Sequence, residues 1–137
     1  MHGDNQRITF KRLEGTRIVA NPNAIDSLVI PGGSVVMRFA PDEIYVTPPL
    51  PGTASVTAAD PHAIIISEGA FSGAWVAEEH ALHLLEMHAE WEMPSERPAF
   101  DQGMVAGVAA KLYFCKQRGV LFAAPSPYAH ELEERLS

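Results

Sequence analysis

The stretch Val35-Val36-Met37-Arg38-Phe39-Ala40-Pro41-Asp42-Glu43-Ile44-Tyr45-Val46 decides the fold class. Two β-rich runs, 35–39 and 44–46, flank Ala40-Pro41-Asp42-Glu43, where the fixed φ of Pro41 suits the second position of a turn. They predict a β-hairpin. Beyond it, Pro48-Pro49-Leu50-Pro51-Gly52 removes backbone donors and blocks a helix, so 48 to about 60 reads as a loop and as the best candidate for a mobile surface segment. His62–Ser67 and Phe71–Val76 predict strands on either side of Glu68-Gly69-Ala70. The unbroken Ile64-Ile65-Ile66 suits a strand covered on both faces at the centre of the sheet. Residues 77–91 contain neither Pro nor Gly, and open with Glu78 and Glu79, where the helix dipole favours acids. Leu82, Leu85 and Ala89 form one stripe there, so this is the main helix, ended by Met93–Pro98. The apolar runs 104–115 and 120–124 flank Lys116-Gln117-Arg118-Gly119, whose glycine can take the left-handed conformation of a hairpin exit. Ser126 and Pro127 supply a capping hydroxyl and a first-turn proline, and Tyr128, Leu132 and Leu136 recur at i, i+4 and i+8 to bury one face of a terminal helix.

Toward the N-terminus the breakers Pro31-Gly32-Gly33-Ser34 and Asn21-Pro22-Asn23 leave room for only a turn of helix or a brief strand. Ile8–Leu13 and Thr16–Ala20, on either side of Glu14-Gly15, suggest a ragged hairpin or edge strands. From residue 62 the order is ββαββα with a hairpin before it. That order is an α+β fold, a mostly antiparallel sheet with helices at about 77–91 and 127–136 packed on one face.

Composition bounds the function. The 137 residues fit a single domain, and 10 Lys plus Arg against 17 Asp plus Glu give a formal charge of −7. The longest basic run is the pair Lys11-Arg12, which argues against nucleic acid and anionic membrane, since phosphate neutralisation needs clustered positive charge. No apolar stretch approaches the roughly 18 residues of a membrane span, and Met1–Gln6 lacks the layout of a signal peptide. The lone Cys115 can form neither an internal disulfide nor a cysteine metal site, so a reducing cytoplasm is the expected compartment.

The six histidines are the first place to look for chemistry. At 100° per residue Glu79, His83, Glu86 and Glu90 share one side of the 77–91 helix, where a carboxylate and imidazole metal site is geometrically possible. The His-Glu-x-x-His order of zincins is absent, and three flexible glutamates without orienting partners favour a solvated acidic face, so no stoichiometric metal is expected. His80 and His88 point toward the apolar side as hydrogen-bonded core-edge residues. Cys115 lies in an apolar strand, where a thiol is a small hydrophobe, and no Gly-x-Ser-x-Gly elbow occurs. Gly103-Met104-Val105-Ala106-Gly107 lacks the Lys-Ser/Thr of a phosphate loop and is better explained by close strand packing. Asp42 and Glu43 are expected to serve the turn, with neither facing a partner. Trp75, Trp91, Tyr113 and Phe114 are expected mostly in the core, with one or two left at a partner interface. No residue is assigned as catalytic or metal-binding, and no cofactor-binding residue is identified.

Three stretches together resemble a known family. Val36–Val46 resembles the strand, Ala-Pro-Asp-Glu turn and strand of the gamma subunit of heterotetrameric sarcosine oxidase and of related folate-binding aminomethyltransferase (glycine-cleavage T-protein) domains. His62–Lys111 is similar in its order of strand, strand, helix, Pro-containing loop and Gly-rich strand. Phe122–Leu132 resembles the closing strand followed by a Ser-x-x-Ala helix start. The resemblance spans residues 35–137 as an α+β core, with 1–34 as a variable N-terminal segment. It departs from the family at Ile44, where an aromatic is common, and in the acidic, His-rich helix. It implies a non-catalytic small subunit of a sarcosine or N-methyl amine oxidase complex in one-carbon metabolism. Flavin and tetrahydrofolate would then be handled by larger alpha- and beta-like partner chains, and none by this chain alone. The alternative it leaves open is a stand-alone folate- or one-carbon-ligand-binding domain of the aminomethyltransferase type. A homo-oligomer without enzymatic activity is the third reading.

Overall fold

The computed structural model describes residues 7–137, so Met1–Gln6, read above for a targeting layout, lies outside the described residues. Along the chain it contains β1 (Lys11–Arg12), β2 (Gly15–Val19), α1 (Pro22–Asp26), β3 (Val35–Ala40), β4 (Glu43–Thr47), α2 (Ala54–Ala59) and β5 (Ile64–Glu68). Then follow β6 (Phe71–Val76), α3 (Glu78–His88), β7 (Ala99–Val105), β8 (Val108–Cys115), β9 (Gly119–Pro125) and α4 (Ser126–Leu136). The class is α+β and the strand pairings are antiparallel, as the sequence predicts, but the strands form two sheets rather than one. The chain divides into two compact units, one of Leu13–Gly69 and one that joins the residues up to Arg12 to Ala70–Ser137.

In the continuous unit the strand order is β3-β4-β2-β5. β3 and β4 form the hairpin read from the sequence, with a register shift between Arg38 and Ala40. The ragged N-terminal hairpin does not form, because β2 is an interior strand between β4 and β5 while β1 pairs with β6 in the other sheet. A Cβ on Gly15 would run into the ring of Tyr45, which explains a glycine at this strand position. Asn21 caps α1 by accepting the Ala24 N–H at 2.8 Å, and Pro22 stands in its first turn. The expected loop over 48–60 holds a short helix, α2, because nothing after Pro51-Gly52 forbids one and Val56 finds a fully buried place. Ile18, Ala24, Ile25, Ile44, Val46 and Val56 make the core. β5 is an edge strand instead of a doubly covered centre: Ile65 packs toward this core, while Ile64 and Ile66 are 55% and 38% exposed. Successive strand side chains alternate faces, so Ile65 turns into this core while Ile64 and Ile66 stand on the other face, where the inner strands bury Met37 and Tyr45 but the edge strand stays exposed.

The discontinuous unit has the order β1-β6-β9-β8-β7. The apolar run 104–115 is split by Ala106-Gly107, whose φ values of 51° and 79° make a tight two-residue hairpin turn closed by Val105 opposite Val108. Gly119 has the left-handed φ, 94°, expected of the next hairpin. One face of the sheet buries Leu112, Phe114, Val120 and Phe122 against α3 and α4, with Ile8 joining from the N-terminal side. On α3 the buried stripe is Ala81, Leu84 and Leu85, whereas Leu82 is 37% exposed, a one-residue rotation of the expected face. That helix stops at His88, and Ala89 is already extended. On α4 the buried residues are Ala129, Leu132 and Leu136, and Tyr128 is 56% exposed. Ser126 does not cap by its side chain; the helix begins at Ser126 itself, whose hydroxyl lies 2.9 Å from that of buried Ser72.

Candidate functional site

The acidic helix face is solvated. Glu79, His83 and Glu86 are exposed on α3, while Glu90 falls beyond the helix end and so leaves the row that the 100° spacing requires. Among the described residues no group of three or more His, Cys, Asp or Glu side chains converges on a common point. His80 and His88 are half-buried. At the β3–β4 turn, Asp42 is exposed, but Glu43 does face a partner: its carboxylate takes the Arg17 guanidinium at 2.7 Å from Nε and 2.6 Å from Nη2. Adjacent residues gave no sign of that pair, because the arginine arrives from β2, which lies beside β4.

In the glycine stretch, Gly103 serves close packing. A Cβ on Gly103 would meet the indole of Trp91, and Trp91 donates its Nε1–H to the Met104 carbonyl at 3.1 Å. Phe114 is fully buried and Trp91 packs against the same core. Trp75 and Tyr113 instead occupy the opposite face of the sheet. The strand register aligns Phe100, Tyr113, Leu121 and Trp75 in one row across β7, β8, β9 and β6.

The Trp75 and Tyr113 rings meet edge to face at 6.3 Å, and the Arg118 guanidinium lies 4.0 Å from the centre of the Trp75 ring. Cys115 is half-buried beside them and donates to Gln117 Oε1 at 3.2 Å. Burial raises the Tyr113 hydroxyl above its ordinary pKa of 10.0, Cys115 adds to the rise, and Arg118 opposes it. The phenol is therefore neutral at physiological pH, a hydrogen-bonding and stacking group rather than a base. The arrangement can hold a flat or apolar surface.

A second feature escaped the sequence reading. Arg97 lies 4.8 Å from the centre of the Phe114 ring, donates from Nη1 to the carbonyls of Pro94 and Glu96 at 2.9 Å each, and pairs with Glu78 at 3.2 Å. Its only sequence signal is a cation inside a proline-bounded loop.

No protein-family model and no curated protein matches the chain. Among solved structures it is similar to a chain of heterotetrameric sarcosine oxidase from Corynebacterium sp. U-96, determined in complex with pyrrole 2-carboxylate. The TM-score is 0.71 at 12% identity, over 96% of this chain and 83% of that chain. At that identity the likeness is one of fold: this chain has the α+β architecture of a chain from a multi-subunit oxidase.

Proposed function

We propose that the chain is a small, gamma-like subunit of a multi-subunit oxidase acting on sarcosine or a similar N-methyl amine. The observation that supports it is the likeness just described, which runs over nearly the whole of this chain and most of the other. The strand, Ala-Pro-Asp-Glu turn and strand of residues 36–46, from which the family resemblance was first drawn, folds as the β3–β4 hairpin. In this reading larger flavoprotein chains, alpha- and beta-like, carry the flavin and the tetrahydrofolate, and this chain contributes binding surface rather than reacting groups. Affinity purification of the tagged chain from its own cells tests it. The expected result is co-elution with larger chains, a flavin absorbance spectrum and sarcosine-dependent oxidation in the same fractions. Elution alone, together with tight tetrahydrofolate binding by the purified chain, would replace it with the stand-alone aminomethyltransferase-type reading.

A further inference from the structure

Four strands end the two sheets, and three of them are blunted against further pairing. β1 is only two residues long, and both, Lys11 and Arg12, are exposed cations. β3 carries the register shift between Arg38 and Ala40. β7 is covered from the side by the segment after α3: Trp91 Nε1 donates to the Met104 carbonyl, and the Ala106 N–H donates to the His88 carbonyl at 2.9 Å. Short length, charge, bulges and covering segments are the devices by which proteins keep sheet edges from recruiting further strands.

β5 has no proline, no register shift and no covering segment among the described residues, and its one charged residue, Glu68, is its last. It pairs with β2 in an unbroken register from Gly15–Glu68 to Val19–Ile64, and the sheet ends there among the described residues. Ala63–Ser67 contains no charge and no proline. Ile64 and Ile66, two of the exposed large apolar side chains of the molecule, stand on the same face of this strand, next to Val19 and Arg17 of β2.

We infer that the free edge of β5 pairs antiparallel with β5 of a second copy of this chain, extending the four-stranded sheet across a two-fold axis. Such an axis stands perpendicular to the sheet and keeps each face on its own side, so only pairings between residues of the same face are allowed. Centring the axis on Ile65 sets Ile64 opposite the second copy's Ile66 and Ala63 opposite the second copy's Ser67, and gathers all four exposed isoleucines into one patch. Centring it on Ile64 or Ile66 leaves two of the four without an isoleucine opposite. Charge is compatible with this place: each copy carries −7 overall, residues 63–67 carry no charge, and in this register the Glu68 that ends each strand falls opposite the second copy's His62. The strand thus matches itself in length, polarity and register, which is what an isologous interface demands.

The test is sedimentation equilibrium of the full chain over a dilution series, with two charge variants. The wild type is expected to rise from 14.9 kDa toward twice that mass with concentration. Ile64→Lys/Ile66→Lys and Ile64→Glu/Ile66→Glu alter exposed positions, so each is expected to keep the wild-type circular dichroism spectrum and to stay monomeric alone. Mixed one to one, the two are expected to restore the doubled mass, because lysines then face glutamates. A wild type that remains at 14.9 kDa throughout overturns the proposal and leaves the edge for a strand of a different partner. A doubled mass that persists in both variants alone places the contact elsewhere and equally overturns it. Failure of the subunit reading leaves this test unaffected, since it uses the purified chain only.

Discussion

Arg97 secures a segment whose prolines leave it few backbone donors. Its side chain is only 10% exposed, its guanidinium lies over the ring of buried Phe114, and it donates to the Pro94 and Glu96 carbonyls directly. Glu78 is about half exposed, so the ion pair itself adds little. Arg97→Ala is expected to lower stability by about 1–3 kcal/mol in urea unfolding, through lost stacking and unpaired carbonyls. Arg97→Lys should recover only part of it, because an ammonium lacks the planar fork. Asp60 works in the other unit, where its carboxylate accepts the Asn21 N–H at 2.9 Å and the His62 N–H at 3.0 Å. Those two bonds, the Asn21 one first, pull its pKa below 3.8. A depressed carboxylate stabilises the fold above its unfolded pKa and loses that contribution as pH falls through the folded value. Asp60→Asn is therefore expected to lower the melting temperature at pH 7 and to flatten its decline below about pH 4, which melts at a series of pH values will show. Neither residue was legible beforehand: Arg97 acts on a ring from β8, and Asp60 on the start of α1, contacts that only the folded chain creates.

Among the elements, α3 shows how a helix can be placed correctly and rotated wrongly. Its extent was readable from an uninterrupted run with acids at the start, but Leu82, Leu84 and Leu85 admit two neighbouring stripes, and the sheet selects Ala81, Leu84 and Leu85. The expected consequence is sharp: Leu85→Ala and Leu132→Ala each lose about 2–5 kcal/mol in denaturant unfolding, as buried leucines do, while Leu82→Ala stays within roughly 1 kcal/mol of wild type. The β8–β9 hairpin depends on Gly119, where φ is 94° and an added Cβ would strike the Val76 carbonyl. Gly119→Ala is expected to lower the melting temperature more than Leu82→Ala does, because a strained φ and a backbone clash act at one position. The β3–β4 hairpin was the most legible element, since β-rich runs and Pro41 agree on one local answer. The isoleucine run of β5 was the least, because it fits a doubly covered strand and an exposed edge equally well.

For the molecule as a whole, the assignment of strands to sheets is what local patterns could not supply. β5 and β6 are separated by only Gly69 and Ala70 yet belong to different sheets, while β1 joins β6 across the whole continuous unit. Ile8, in the segment read as variable, is 5% exposed in the core of the discontinuous unit. Ile8→Ala is accordingly expected to destabilise by about 2–4 kcal/mol in denaturant unfolding, whereas truncating exposed Val29 should change little. The same topology has a consequence for biosynthesis. A ribosome completes Leu13–Gly69 before it has made any of β6, so this stretch can collapse on its own while Ile8 and β1 have no partner. Even β6, once made, lacks its inner neighbour until Pro125 has been added. A piece made before the insert is among the last to be docked, and the folded insert, whose ends meet where Gly15 pairs with Glu68, shortens the search by closing a long loop beforehand.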